Sequence, residues 1–287
     1  PATSPSGSPS RPARPATRDA PMTDDSKYTR QTVTHVHTWV PDKLFSVRVT
    51  RDDAYSFQPG QFARVGLPGA DEPDGPPTLW RAYSMVSAPQ QPWLEFYSIV
   101  VAEGLFSPRM ARLQPGDALY VEKAPYGFLT LERFAPGGDL WLLASGTGLS
   151  AYLSILRDPA VWRDYRRIIL VHGVRTAAEL AYRDEIEGWR RDPALAEQFA
   201  ADPQKLVYLP IATREALPGM PQARLTTLIA DGGLEQLAGL PLDPEHAKIM
   251  LCGNPDMLAD ARKLLGERGF KPGRRGIPGN LAVENYW

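Results

Sequence analysis

An apolar run, Leu140-Trp141-Leu142-Leu143-Ala144, leads directly into Ser145-Gly146-Thr147-Gly148-Leu149-Ser150-Ala151. The spacing is G-x-G-x-x-A between a strand and a helix. Glycines at such a turn let the backbone approach a pyrophosphate, whose charge suits the unpaired N–H groups of a helix start. Alone, the same spacing also serves an ordinary tight turn. The next apolar run ends in Val171-His172-Gly173-Val174-Arg175, where a dinucleotide site often carries an acid for the ribose hydroxyls. An arginine there suits a 2′-phosphate instead. Arg214 and Arg224, in later loops, add guanidinium groups able to grip phosphate in a bidentate way. Each alone reads as a solvated surface residue; together in one nucleotide domain they point to a cationic pocket.

Two more clusters lie upstream. Arg81-Ala82-Tyr83-Ser84-Met85 offers a cation for a pyrophosphate, a flat face for a ring system and a hydroxyl for hydrogen bonding. It also reads as an ordinary amphipathic strand. Gly104-Leu105-Phe106-Ser107-Pro108-Arg109-Met110 joins a strand to a short helix, with Ser107 as its N-cap and Pro108 as its first residue. Free N–H groups there would hold an anion, or simply be capped. Cys252 is the sole cysteine. One thiol makes no internal disulfide and holds no iron–sulfur cluster, and it fits a reducing cytoplasm. His35 and His37 share a strand face without a third ligand, so no metal site is expected. His172 and His246 have no hydrolytic partners in a recognisable arrangement.

These residues need two kinds of scaffold. From Tyr28 to about Leu131 short alternating stretches predict antiparallel strands at 32–37, 44–49, 61–67, 82–86, 93–101 and 118–121, closing as a barrel. The stretch from Gly66 to Trp80, rich in Pro, Gly and acids, is not assigned. After Pro136-Gly137-Gly138 the pattern changes to apolar runs at 140–144, 167–172, 206–211 and 248–251. Helical stretches at 149–156, 178–190 and 255–268 alternate with them, which predicts a doubly wound parallel-sheet α/β domain. The expected division is a disordered extension over 1–26, a barrel over 27–135 and an α/β domain with a C-terminal tail over 136–287. The net charge of −1 gives no bulk attraction to nucleic acid or an anionic membrane. No apolar run approaches the roughly 20 residues that cross a bilayer. Nothing signals an oligomer, so a monomer is the default.

In this order the clusters resemble the ferredoxin/flavodoxin–NADP reductase family, and most of all its bacterial subtype ending in tryptophan. The carriers are Arg81-Ala82-Tyr83-Ser84, Gly104 to Arg109, Gly146-Thr147-Gly148, Leu251-Cys252-Gly253-Asn254-Pro255 and Glu284-Asn285-Tyr286-Trp287. The resemblance implies an FAD-binding barrel followed by an NADP-binding domain. It assigns the FAD pyrophosphate to Arg81 and the turn of Gly104, Leu105, Phe106 and Ser107. Tyr83 and Tyr286 would flank the flavin ring, with Ala82 and Ser84 beside it and Trp287 on the adenine. Phe96, Tyr97, Ser98 and Ile99 would line the flavin and its ribityl chain. Thr147 would lie where the two nucleotides meet. Gly146, Gly148, Cys252, Gly253 and Asn254 would belong to the NADP site, and Arg175, Arg214 and Arg224 to its adenosine end. Ser84, Cys252, Glu284 and Tyr286 are the expected catalytic group, Glu284 as a proton relay or nicotinamide contact. The implied activity is hydride exchange between NADPH and FAD, with single electrons passing to or from ferredoxin or flavodoxin. A flavin reductase, or the reductase component of an oxygenase system, is the alternative. Such a carrier is typically acidic, and Arg48, Arg51, Arg109, Arg112 and Lys123 are the expected docking patch.

Overall fold

The computed structural model describes residues 27–274 and 276–285. The extension over 1–26, Tyr286 and Trp287 lie outside the described residues. The first six strands are β1 (Tyr28–Val40), β2 (Leu44–Thr50), β3 (Phe62–Pro68), β4 (Pro77–Ser84), β5 (Trp93–Ile99) and β6 (Ala118–Glu122). They pair antiparallel in the order β4-β3-β6-β1-β2-β5. A bridge between Met85 and Phe96, with the Val86 N–H donating to the Glu95 carbonyl (2.8 Å), joins the two ends into a barrel. Its interior is filled by alternate side chains such as Val47, Val49, Val65, Leu94, Phe96 and Leu119. The unassigned 66–80 stretch is a hairpin: β3 and β4 run on to pair Pro68 with Pro77. Proline and glycine hid these strand ends, and the Gly66–Trp80 pairing explains one of them, because the indole lies where a side chain on Gly66 would stand.

After the short helix α1 (Ser107–Met110), the chain leaves the barrel through 123–138 and builds a parallel sheet. Its strands are β7 (Asp139–Ser145), β8 (Arg167–Val174), β9 (Leu206–Ala212), β10 (Ala247–Cys252) and β11 (Leu281–Glu284), in the order β11-β10-β7-β8-β9. Leu140, Leu142 and Ala144 of β7 face one hydrophobic cluster and Trp141 and Leu143 the other. Burial on both faces is why these strands read as unbroken apolar runs. Helices α2 (Leu149–Leu156), α3 (Pro159–Asp164) and α4 (Arg183–Gly188) cover the first face, with α5 (Ala196–Ala201) beyond them. Helices α6 (Leu225–Asp231), α7 (Gly233–Ala238) and α8 (Pro255–Glu267) cover the second. No described helix is long and apolar enough to cross a membrane.

The single helix expected over 178–190 is broken. Tyr182 adopts a left-handed backbone (φ 59°), and α4 begins only after it. The reason is tertiary. The buried Tyr182 ring packs on Trp39 and Tyr97 of the barrel, and its hydroxyl donates to Glu95 (2.8 Å). Glu95, 5% exposed, also receives Arg157 (3.0 Å), the residue that ends α2. Arg157 forks onto both oxygens of Glu185 (2.7 and 2.8 Å) and donates to the Val86 carbonyl. Ser154 donates to the Ser87 carbonyl (2.7 Å) beside it. Barrel residues Leu44, Val86 and Tyr97 share the cluster that covers one face of the parallel sheet, so the barrel wall packs directly onto the core of the other half.

His172 of β8 lies fully inside the sheet region, where burial lowers its pKa from 6.5 to about 4. The folded imidazole is therefore neutral at physiological pH. Unfolded chains take up its proton near pH 6.5, so between about pH 6.5 and 4 they bind more protons than folded ones. Stability falls as the pH drops through that window, by about 3 kcal/mol in all. Urea unfolding at pH 7 and pH 4.5 reads this slope, and His172→Leu flattens it. Arg157→Met leaves buried Glu95 with only the part-exposed Arg48 as a cation and Glu185 without its partner, and the unfolding free energy at pH 7 falls by about 3 kcal/mol on the same measurement.

Candidate functional site

In the parallel sheet, β7 is the first strand built. The chain then grows outward on one side through β8 and β9 and returns to the other side as β10. The crevice at the carboxyl ends of β7 and β10 is the switch point at which open α/β sheets bind ligands. The glycine turn Gly146-Thr147-Gly148 leaves β7 here and Cys252-Gly253 ends β10. The fit is close: a Cβ on Gly148 would run into the Cys252 carbonyl, and one on Gly253 (φ 138°) into the Ser145 hydroxyl. That hydroxyl accepts the Asn254 N–H (2.8 Å). Asn254 itself is exposed, and its side chain caps α8 by accepting from Asp256 and Met257.

Facing this crevice is the end of the barrel where β4 and β5 meet. Between them lies a cavity of about 410 Å³. Arg81, Ala82, Tyr83 and Ser84 of β4 line it, together with Tyr97, Ser98 and Ile99 of β5. The turn Gly104-Leu105-Phe106-Ser107 forms another wall. Thr147, Gly148, Cys252 and Gly253 close the side belonging to the parallel sheet. Thus the clusters 81–84, 104–107, 147–148 and 252–253 contribute to one hollow, while Arg175, Arg214, Arg224 and Glu284 do not line it. Val101 and Ser150 also line it; neither stood out, because an exposed valine and a helix-start serine carry no distinguishing chemistry. Phe96 does not line it. Its side chain is enclosed in the barrel core, where it is 0% exposed.

The polar groups explain what the hollow could hold. Tyr83 and Phe106 present tilted rings 5.9 Å apart, and burial pushes the Tyr83 hydroxyl up, keeping it protonated. The buried Tyr97 hydroxyl has no described hydrogen-bond partner. Arg81 is exposed at the mouth and donates to the Trp80 carbonyl (2.8 Å). The Leu105, Phe106 and Ser107 amides meet no described acceptor. Ser107 is not the N-cap expected; Phe106 holds that position, and the Ser107 hydroxyl accepts the Val101 N–H (2.8 Å), closing the turn on itself. Burial, and secondarily the Glu284 carboxylate, pushes the Cys252 thiol far up, so it stays a neutral thiol.

Glu284 pairs in register with Cys252 across β11 and β10. Its carboxylate accepts the Phe128 and Leu129 amides (3.2 and 3.1 Å), tying the sheet edge to the segment leaving the barrel. It is engaged by backbone rather than lining the cavity. Gly146 stands just behind the lining, its carbonyl near His172. Arg175 and Arg214 lie at the carboxyl ends of β8 and β9, where the Arg214 N–H donates to the Arg175 carbonyl (2.9 Å). Arg224 precedes α6. All three are exposed and have no carboxylate partner among the described residues. Of the five cations expected to form a docking patch, Arg112 and Lys123 are exposed, and the other three are engaged by the fold. Arg48 is drawn onto Glu95 and the Trp93 ring, Arg51 onto the Tyr55, Pro89 and Gln91 carbonyls, and Arg109 onto the Pro68 carbonyl. Unpaired backbone carbonyls and a buried acid outcompeted solvent for these cations.

Residues 142–263 match the oxidoreductase NAD-binding domain family. The chain is 40% identical to ferredoxin–NADP reductase A of Sorangium cellulosum over 90% of this chain and 89% of that one. It is also 40% identical to the ferredoxin–NADP reductase of Pseudomonas aeruginosa, over 88% and 95% of the two chains. A crystal structure of a ferredoxin–NADP+ reductase from Neisseria gonorrhoeae with bound FAD and NADP superposes with a TM-score of 0.81 at 31% identity. That superposition covers 91% of this chain and 99% of the other. With the cavity set at the meeting of a barrel and a doubly wound sheet, this likeness over nearly the full length of both chains means that the chain belongs to the ferredoxin–NADP reductase family.

Proposed function

We propose that the protein is a ferredoxin– or flavodoxin–NADP+ reductase, with FAD in the cavity between barrel and sheet and NADP(H) across the carboxyl edge of the sheet. The observation that carries this reading is one hollow walled by both halves, aromatic on the barrel side and glycine-lined on the other. The residues fit the cofactor. The Ser84 and Ser98 hydroxyls and the Tyr83 ring suit a polar-edged aromatic ring system. Arg81 and the free Leu105–Ser107 amides suit its pyrophosphate. FAD, when bound, supplies the exchange between two-electron hydride chemistry and one-electron transfer.

The chain's own residues do the rest. Thr147 and Gly148 bring backbone close to where the two nucleotides would meet. Cys252, buried and uncharged, offers a small neutral contact to a nicotinamide. Ser84, 9% exposed, places a hydroxyl at the hollow's inner wall with little access for water. Arg175, Arg214 and Arg224 hold the 2′-phosphate that distinguishes NADPH from NADH. In this reading 27–135 is the FAD-binding half and 136–287 the NADP-binding half. The partner is a small acidic carrier, and the protein works as a monomer in the cytoplasm, a setting suited to its lone buried thiol.

Anaerobic titration tests the proposal. The purified protein is yellow, NADPH bleaches it at lower concentration than NADH, and added ferredoxin or flavodoxin restores the colour. Arg175→Ala with Arg214→Ala raises the KM for NADPH about tenfold or more and leaves that for NADH nearly unchanged. Colourless protein, or a flavin that NADPH does not bleach, overturns the reading.

A further inference from the structure

His172 is an expensive residue for its position. It is 0% exposed, paired in register with Ala144 on one side and Pro210 on the other. Its Nδ1 has no hydrogen-bond partner among the described residues. A buried polar atom left unsatisfied costs about 1–3 kcal/mol. An apolar side chain of similar size would fill the same space without that cost. Among the described residues the ring makes one polar contact, Nε2 to the Gly146 carbonyl at 3.1 Å.

That carbonyl belongs to the turn lining the cavity. It also accepts the Leu149 N–H, so two donors hold it. In a trans peptide the C=O and the N–H of the following residue point in opposite directions. A Gly146 carbonyl drawn toward His172 in the sheet therefore turns the Thr147 N–H the other way. Thr147 lines the cavity, and its amide donates to no described acceptor. Its own carbonyl is held by the Ser150 hydroxyl (2.8 Å), which fixes the next peptide of the turn. Gly146, at φ 54°, supplies the backbone freedom that this orientation needs.

We infer that His172 is a positioning residue for dinucleotide binding: its Nε2–H holds the Gly146 carbonyl back and so presents the Thr147 N–H to a phosphate of NADP(H) at the carboxyl edge of the sheet. The inference rests on the NADP(H) reading above. With neutral imidazole, Nε2 must carry the proton and Nδ1 must be bare.

The test uses FAD-loaded protein titrated with NADP+, followed by the flavin difference spectrum, with turnover and thermal unfolding measured alongside. His172→Leu weakens NADP+ about tenfold while kcat stays within about twofold and the unfolding midpoint at pH 7 is not lowered. His172→Gln, whose amide can donate, recovers most of the affinity. Nitrogen NMR of the wild-type imidazole shows the Nε2–H tautomer. Leucine and wild-type proteins that bind NADP+ equally, or a glutamine variant no better than leucine, overturn the inference. So does an Nδ1–H tautomer, a readout that stands even where a variant does not fold. Wild-type protein that binds FAD but no NADP+ overturns the nucleotide reading itself, an outcome distinct from equal binding by wild type and variant.

Discussion

The structure depends on a buried charge cluster that locks two differently built sheets together. Glu95 comes from the barrel, Arg157 from the end of the helix after the glycine turn, and Glu185 and Tyr182 from the connection that follows β8. Burying such charges is costly, and apolar residues of similar volume often give equal or greater stability. Hydrogen-bonded charges, however, fix distance and direction in a way that apolar contact does not. Here they set β5, which lines the cavity, against α2, whose first turn lines the opposite wall. A cavity whose two walls come from two sheets needs that register, because a shift of one ångström between reacting rings would degrade transfer between them.

Within the hollow, the polar groups are neutral and the cations stay at the rim. Burial keeps Tyr83 and Cys252 protonated, while Arg81 and the arginines beyond β8 and β9 remain exposed. This division suits a ligand with an aromatic centre and anionic ends. The glycine turn sits where the division changes, and it is held by contacts from behind: Gly148 against the Cys252 carbonyl, Gly253 against Ser145, and His172 against Gly146. The turn is rigid because the core supports it, not because its own sequence is stiff.

Much of this could be read without coordinates. Strands buried on both faces announce themselves as apolar runs, and the glycine spacing after β7 marks a close backbone approach. The residue types of 81–84, 104–107 and 252–253 suggested ligand chemistry before their positions were known. Other features were hidden. β11 is four residues long and paired along its whole length to β10, so its identity comes from that partner rather than from local propensity. The break before α4 follows from Tyr182 reaching Glu95, a contact 87 residues away in the chain. Charge alone likewise does not reveal that Arg48, Arg51 and Arg109 find internal acceptors.

The sequence by itself determined the order of the two halves, the glycine turn and the set of residue types around one candidate ligand site, because these are local: periodicity, turn chemistry and hydrogen-bonding capacity belong to short segments. The tertiary structure alone decided that Phe96 is enclosed in the barrel core while its neighbours Tyr97, Ser98 and Ile99 line the cavity, that Glu284 is bound by backbone, and that His172 reaches Gly146. Those outcomes depend on which distant strands and turns are brought against one another, and no short segment carries that information.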